Sequence, residues 1–115
     1  MNLIKVSGDS RTSAVAGAIA GVVREHHRAE VQATGAGAVN QAMKALILVT
    51  DYLKLDGIYI CCMPEFVDVM IDDPVRTAIK LVIELQNAAD LPAKWTRRVV
   101  PAANSQIPAD TDAVG

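Results

Sequence analysis

Alternation opens the chain. Ile4 and Val6 fall on one side and Leu3 and Lys5 on the other, which predicts a strand over residues 2–6 that Ser7-Gly8-Asp9-Ser10 ends. From Thr12 to His27 the apolar positions Val15, Ile19, Val22 and Val23 recur with helical period among the small residues Ala16, Gly17, Ala20 and Gly21. Glycine inside a helix costs about 1 kcal/mol relative to alanine, so two at four-residue spacing predict a sheet or second helix close to that backbone. Alternation returns as Val31 and Ala33 set against Glu30, Gln32 and Thr34, and Gly35 and Gly37 break it. Val39, Ala42, Met43, Leu46, Ile47 and Leu53 then recur at helical spacing, predicting a second helix near residues 38–54, with Asn40, Gln41 and Lys44 off its apolar stripe.

Asp56-Gly57 turns the chain into a β-rich run, Ile58 to Met63, which Pro64 interrupts, implying an edge position or a bulge. Extended character resumes from Phe66 to Ile71, and Asp72-Asp73-Pro74 reads as a turn. In the last strand, Val75 to Leu85, the residues Thr77, Ile79, Leu81, Ile83 and Leu85 share one face while Arg76, Ala78, Lys80, Val82 and Glu84 share the other. The order β-α-β-α-β-β predicts an α/β fold. Right-handed crossovers between the first three strands place both helices on one face of a mixed four-stranded sheet. The open face would carry Lys5, Glu30, Gln32, Tyr59, Lys80 and Glu84. From Gln86 the periodicity stops and Pro92, Pro101 and Pro108 punctuate a segment with little to bury, so residues 1–85 are expected to form the domain and residues 86–115 a disordered tail. Within the tail Lys94, Trp95, Arg97 and Arg98 combine a basic cluster with the only tryptophan, a candidate peptide for docking on a protein partner.

Composition narrows the chemistry. Aromatics make up 3% of the 115 residues against 51% for the hydrophobic set, so the core must be built from aliphatic side chains and alanine. A net charge of −2 argues against a generally basic, nucleic-acid-coating surface, though not against a local basic patch. Cys61 and Cys62 are adjacent and would point to opposite faces of a strand, wrong for joint metal ligation; buried thiols are expected there, and neither a metal nor a cofactor. His26 and His27 close the first predicted helix, where positive character complements the dipole. No basic segment followed by an apolar run marks a signal peptide, and no 18-residue apolar span is present, which points to the cytoplasm. No nucleophile with a base and no paired carboxylates at a glycine turn suggest an enzyme.

The most informative stretch is the strand–glycine–helix passage. A helix start suits an anion because its N–H groups and dipole favour negative charge, and glycines allow close backbone approach. The same glycines serve equally well in a tight turn with no ligand. Lys5-Val6-Ser7 closing the first strand, Val15-Ala16-Gly17-Ala18 and Gly21 in the first helix, Ala29-Glu30-Val31-Gln32-Ala33 in the second strand, Gly35-Ala36-Gly37-Ala38-Val39-Asn40-Gln41-Ala42 entering the second helix, and Arg76-Thr77-Ala78-Ile79-Lys80-Leu81 in the last strand together resemble the stage V sporulation protein S family. The resemblance spans residues 2–85 and implies an Alba-like two-layer sandwich whose final strand sits inside the sheet. It also implies a role in spore or cell development, and nucleic-acid binding by fold-level analogy with Alba proteins. Alba proteins carry lysines in the loop after the first strand and a basic last hairpin. Here the loop holds Asp9 beside Arg11, and the hairpin holds Glu65, Asp68, Asp72 and Asp73 against Arg76, a field that repels phosphate.

Two functions follow from different classes. In the first, a regulatory module binds nucleic acid through Lys5, Arg11, Gly35, Gly37, Asn40, Gln41 and Lys44, with phosphate on the start of the second helix. So few cations give weak, sequence-tolerant affinity. Against it stands a structural role in which Asn40 and Gln41 bond the adjacent loop or a second subunit. In the second, the small, low-charge surface of Ala36, Gly37, Ala38, Val39 and Leu48 makes the protein a homo-oligomeric interaction or scaffold protein, a dimer or higher, without nucleic-acid binding.

Overall fold

The computed structural model describes residues 3–70, 74–87 and 89. Four strands and two helices follow in the expected order: β1 (Leu3–Val6), α1 (Thr12–His26), β2 (Arg28–Ala33), α2 (Ala36–Lys54), β3 (Ile60–Met70) and β4 (Val75–Leu85). The strands form one mixed sheet in the order β1-β2-β4-β3. β1 and β2 are parallel, with Lys5 opposite Gln32, whereas β4 is antiparallel to both β2 and β3, with Val31 opposite Leu81 and Pro64 also opposite Leu81. The last strand is therefore internal, as the family resemblance implied.

Both helices lie on one face, and the core between the layers is aliphatic throughout. Val15, Ile19 and Val23 of α1 and Ala38, Ala42, Ala45, Val49 and Leu53 of α2 meet Val6, Val31, Leu81 and Ile83 of the sheet, all buried. Alanines at three of α2's buried positions bring that helix close to its neighbours, which suits a core without aromatic volume. No polar side chain is buried among the described residues.

Several expectations are corrected. Gly17 and Gly21 face solvent, and a Cβ at either position would meet nothing within 4 Å. The close contact of α1 is made instead by Ala16 and Ala20, which are buried on the opposite side. Pro64 does not interrupt β3, which runs unbroken for 11 residues from Ile60. β3 is the edge strand, as the proline implied. The Gln86 N–H bonds the Tyr59 carbonyl at 2.7 Å, so by alternation Pro64 turns its missing donor outward, away from β4. Cys61 and Cys62 point to opposite faces as expected, yet both are exposed, free thiols rather than buried ones. The helix layer covers β1, β2 and part of β4 and stops short of β3, where Ile60 alone is buried. Partial burial, followed by the neighbouring Cys61, pushes the Cys62 thiol above its ordinary pKa.

Candidate nucleic-acid interface

Parallel pairing of β1 and β2 delivers the two strand-to-helix connections to the same end of the sheet. β1 leads through the turn Ser7–Ser10, which braces itself: the Ser7 N–H donates to Ser10 Oγ at 2.9 Å and the Ser10 N–H to the Ser7 carbonyl at 3.1 Å. β2 leads through Gly35, whose φ of 94° lies where side-chain-bearing residues are strained. The two turns touch. A Cβ on Gly37 would lie 3.6 Å from the Gly8 Cα, and one on Gly8 would lie 3.8 Å from the Gly37 carbonyl carbon. The first turns of α1 and α2 thus begin side by side.

Neither helix start is neutralised from within its own first turn, although Asp9 stands in the loop before α1. The N-cap residues Arg11 and Gly35 make no side-chain capping bond, and neither first turn contains an acid. The first helical bonds run from Val15 N–H to the Arg11 carbonyl and from Val39 N–H to the Gly35 carbonyl, each 3.0 Å. The preceding N–H groups of both helices have no intrahelical acceptor by geometry, so two partial positive charges sit together at one surface. Gln41 completes the arrangement as a brace: its Nε2 donates to the Ser10 carbonyl at 2.8 Å and to Thr12 Oγ1 at 3.3 Å.

Of the residues expected at this site, Arg11, Gly35, Gly37 and Gln41 are brought together. Lys44 lies on the same helical stripe as Gly37 and Gln41, exposed at the surface. Asn40 turns the other way, toward a cleft with Val39, Met43 and Phe66. Lys5 is on the opposite face of the sheet, since Ile4 and Val6 of the same strand face the helices. Lys5, Arg11 and Lys44 nevertheless share one property: among the described residues none of them has an ion-pair partner.

The open face is different. It bears Lys5, Glu30, Gln32, Lys80 and Glu84 as expected, together with Arg28 and Glu65. Arg28 bonds Glu30 and reaches Glu84 at 3.3 Å, while Lys80 reaches Glu30 at 3.0 Å and Glu65 at 3.4 Å. Hydrogen bonds from Arg28 and then Lys80 hold the Glu30 carboxyl below its usual range, and the same carboxylates raise Arg28 and Lys80. Cations committed in this way do not attract phosphate, so the open face is no basic platform. Tyr59 precedes β3, half-buried, and contributes its carbonyl to Gln86.

The small-residue surface expected for self-association is also reshaped. Ala38 is buried and Val39 and Leu48 pack against the core, leaving only Ala36 and Gly37 of that set exposed. Large exposed apolar side chains lie elsewhere, among them Met43, Ile47 and Tyr52 on α2, Leu55 just after it, and Met63, Phe66, Met70, Val75 and Leu85 on the β3–β4 hairpin, with Phe66 79% exposed. Sequence reasoning missed this surface because Phe66 and Met70 alternate like core residues, and only the extent of the helix layer shows that no described residue covers them. The peptide Lys94, Trp95, Arg97 and Arg98 lies outside the described residues, as does the turn at Asp72-Asp73.

Among the described residues no three His, Cys, Asp or Glu side chains gather as metal ligands, and no helix is long and apolar enough to cross a membrane. The family model described as stage V sporulation protein S matches residues 2–86, which takes in both helices, all four strands and the paired helix starts. The chain belongs to the stage V sporulation protein S family.

Proposed function

We propose that this protein is a non-catalytic regulatory module of sporulation or cell development that binds nucleic acid in the cytoplasm, with backbone phosphate resting over the adjoining starts of α1 and α2. The link to sporulation comes from the family's description. The observation that carries the binding mode is the contact between Gly8 and Gly37, which sets two uncapped helix starts side by side with no acid in either first turn. Arg11 supplies charge at one start and Lys44 farther along the other. The glycine backbone lets phosphate approach closely, and nothing at this surface reads base edges, so affinity is weak and tolerant of sequence. With two or three cations engaged, log affinity should fall with log salt with a slope of roughly −2 to −3. Fluorescence anisotropy with a labelled oligonucleotide tests the assignment. The Arg11→Ala, Lys44→Ala double variant should lose about tenfold or more in affinity and flatten the salt slope while its melting temperature holds. Unchanged binding in that variant places the contact elsewhere on the chain.

A second reading, a homo-oligomeric interaction protein, is favoured by the exposed apolar side chains of the hairpin. Phe66, Met70 and Val75 together offer a surface that water solvates poorly. Pro64 withholds an N–H from the outer edge, so two copies would pack side chains face to face rather than join strands. Sedimentation velocity decides this reading. Association in the wild type that Phe66→Glu abolishes supports it, and a monomeric wild type at tens of micromolar removes it.

A further inference from the structure

On the helix side of the sheet, α2 stops short of β3 and a groove runs between them. Its floor is Ile60 and Cys62, and its wall is Met43, Leu46 and Ile47 of α2. Met43 is 46% and Ile47 63% exposed, unusual for apolar residues pointing at a neighbouring element. Gln86, the residue at which the chain leaves the sheet, completes the lining. Its N–H is fixed to the Tyr59 carbonyl, and Asn87 Oδ1 then accepts the Ala89 N–H at 3.0 Å, turning the chain at the mouth of the groove.

The chain continues from there to residue 115, and its first apolar stretch is Leu91-Pro92-Ala93-Lys94-Trp95. We propose that this segment, outside the described residues, folds back and seats Leu91 and Trp95 in the groove between α2 and β3. Reach is sufficient. The nine residues from Gln86 to Trp95 span up to about 30 Å when extended, whereas the α2 wall from Met43 to Thr50 is only about 10 Å long.

Chemistry and tethering agree. Methionine is flexible and polarizable, so Met43 can shape itself to an indole ring and gains from the sulfur–aromatic contact. Pro92 limits the freedom that docking must remove. Asp51, exposed and one turn beyond Ile47 on α2, already pairs with Lys54 at 4.0 Å, so docking rests on the apolar contacts of Leu91 and Trp95 and not on the tail's basic residues. A segment joined to the groove's own lining acts at a millimolar effective concentration. A second copy at micromolar concentration does not match it, so this groove is assigned to the chain's own tail, with Met43 shared between it and the adjoining cleft that Phe66 lines.

Trp95 is the only tryptophan, and its fluorescence in the full-length chain tests the proposal. The native protein should emit to the blue of the urea-unfolded chain, equally at low and high micromolar concentration. Ile47→Glu should move emission to the red and raise iodide quenching severalfold, with the far-ultraviolet circular dichroism unchanged because Ile47 is exposed on its helix. Emission of a fully solvated indole in the wild type would overturn the proposal. A blue shift appearing only as concentration rises would assign the groove to a second copy, and an Ile47→Glu spectrum identical to wild type would place Trp95 elsewhere.

Discussion

The side-chain amide of Gln41 donates to the backbone carbonyl of Ser10 at 2.8 Å, which ties the second turn of α2 to the loop that opens α1. The bond holds the paired helix starts in register, since the turn containing Gly8 is thereby anchored to the helix containing Gly37. It also answers a question left open by the residue pattern: Gln41 bonds the neighbouring loop, and its structural role is to position that loop.

Replacing Gln41 with alanine removes that bond and leaves the half-buried Ser10 carbonyl short of a partner. A stability loss of about 1 kcal/mol is expected, or a fall in melting temperature of roughly 4–8 °C for a domain of this size. Thermal denaturation measures it. Oligonucleotide affinity should fall alongside, and a variant with wild-type melting would show the brace to be dispensable.

Gly35 and Gly37 should respond differently to substitution. At Gly35, with φ of 94°, alanine is strained and should cost about 1–3 kcal/mol. Gly37 has no positive φ, and an added Cβ would meet the Gly8 Cα at an ordinary 3.6 Å. Alanine there should change stability by less than about 1 kcal/mol. Under the proposed binding mode Gly37→Val puts bulk where phosphate would approach, so it should weaken oligonucleotide binding more than folding. Urea denaturation paired with anisotropy separates the two positions, and equal stability losses would contradict the assignment.

His27 ends α1 in the left-handed region, with φ of 61° and its N–H bonded to the Val23 carbonyl at 2.8 Å. Glycine takes this cap conformation without the Cβ penalty. His27→Gly should raise stability by about 0.5–1 kcal/mol, read as a higher urea midpoint at unchanged slope. A lower midpoint would mean that the imidazole makes an interaction of its own.

Glu30 carries two partners, and its carboxyl is held below the ordinary value of 4.5 by the Arg28 and Lys80 hydrogen bonds. A group whose folded pKa is lowered stabilises the fold at pH above its unfolded value, and that contribution disappears as pH falls from about 4.5 through the folded value. Melting temperature should therefore drop on acidification below pH 4.5 less steeply in Glu30→Gln than in the wild type. The variant should be the less stable protein at neutral pH and approach the wild type in acid. Parallel acid profiles for the two proteins would show that Glu30 contributes nothing to acid sensitivity. The partners Arg28 and Lys80 are raised instead, so their share is lost only at strongly alkaline pH.

Local pattern alone determined the element order and the faces of the chain. Alternation at Ile4 and Val6, helical spacing at Val15, Ile19 and Val23, and alternation at Ile79, Leu81 and Ile83 each report which side of an element meets apolar neighbours, and burial follows them. The glycine break at Gly35 was legible for the same reason, because a backbone conformation that excludes Cβ is a property of one residue. Tertiary structure decided what lies opposite each face, which depends on residues distant in sequence. Gly17 and Gly21 look like packing positions until the sheet is found on the other side of α1. Cys62 looks buried until α2 proves not to extend over β3, and Cys61 looks buried until its side chain is found on the sheet face without helices. The pairing of two helix starts at Gly8 and Gly37 is likewise invisible in either segment alone, because only the parallel pairing of β1 with β2 brings their ends to one edge. The cation set divides on the same ground. Nothing near Lys80 in sequence shows that Glu30 and Glu65 neutralise it, whereas strand register places all three side by side, and long-range register is a product of the whole sheet.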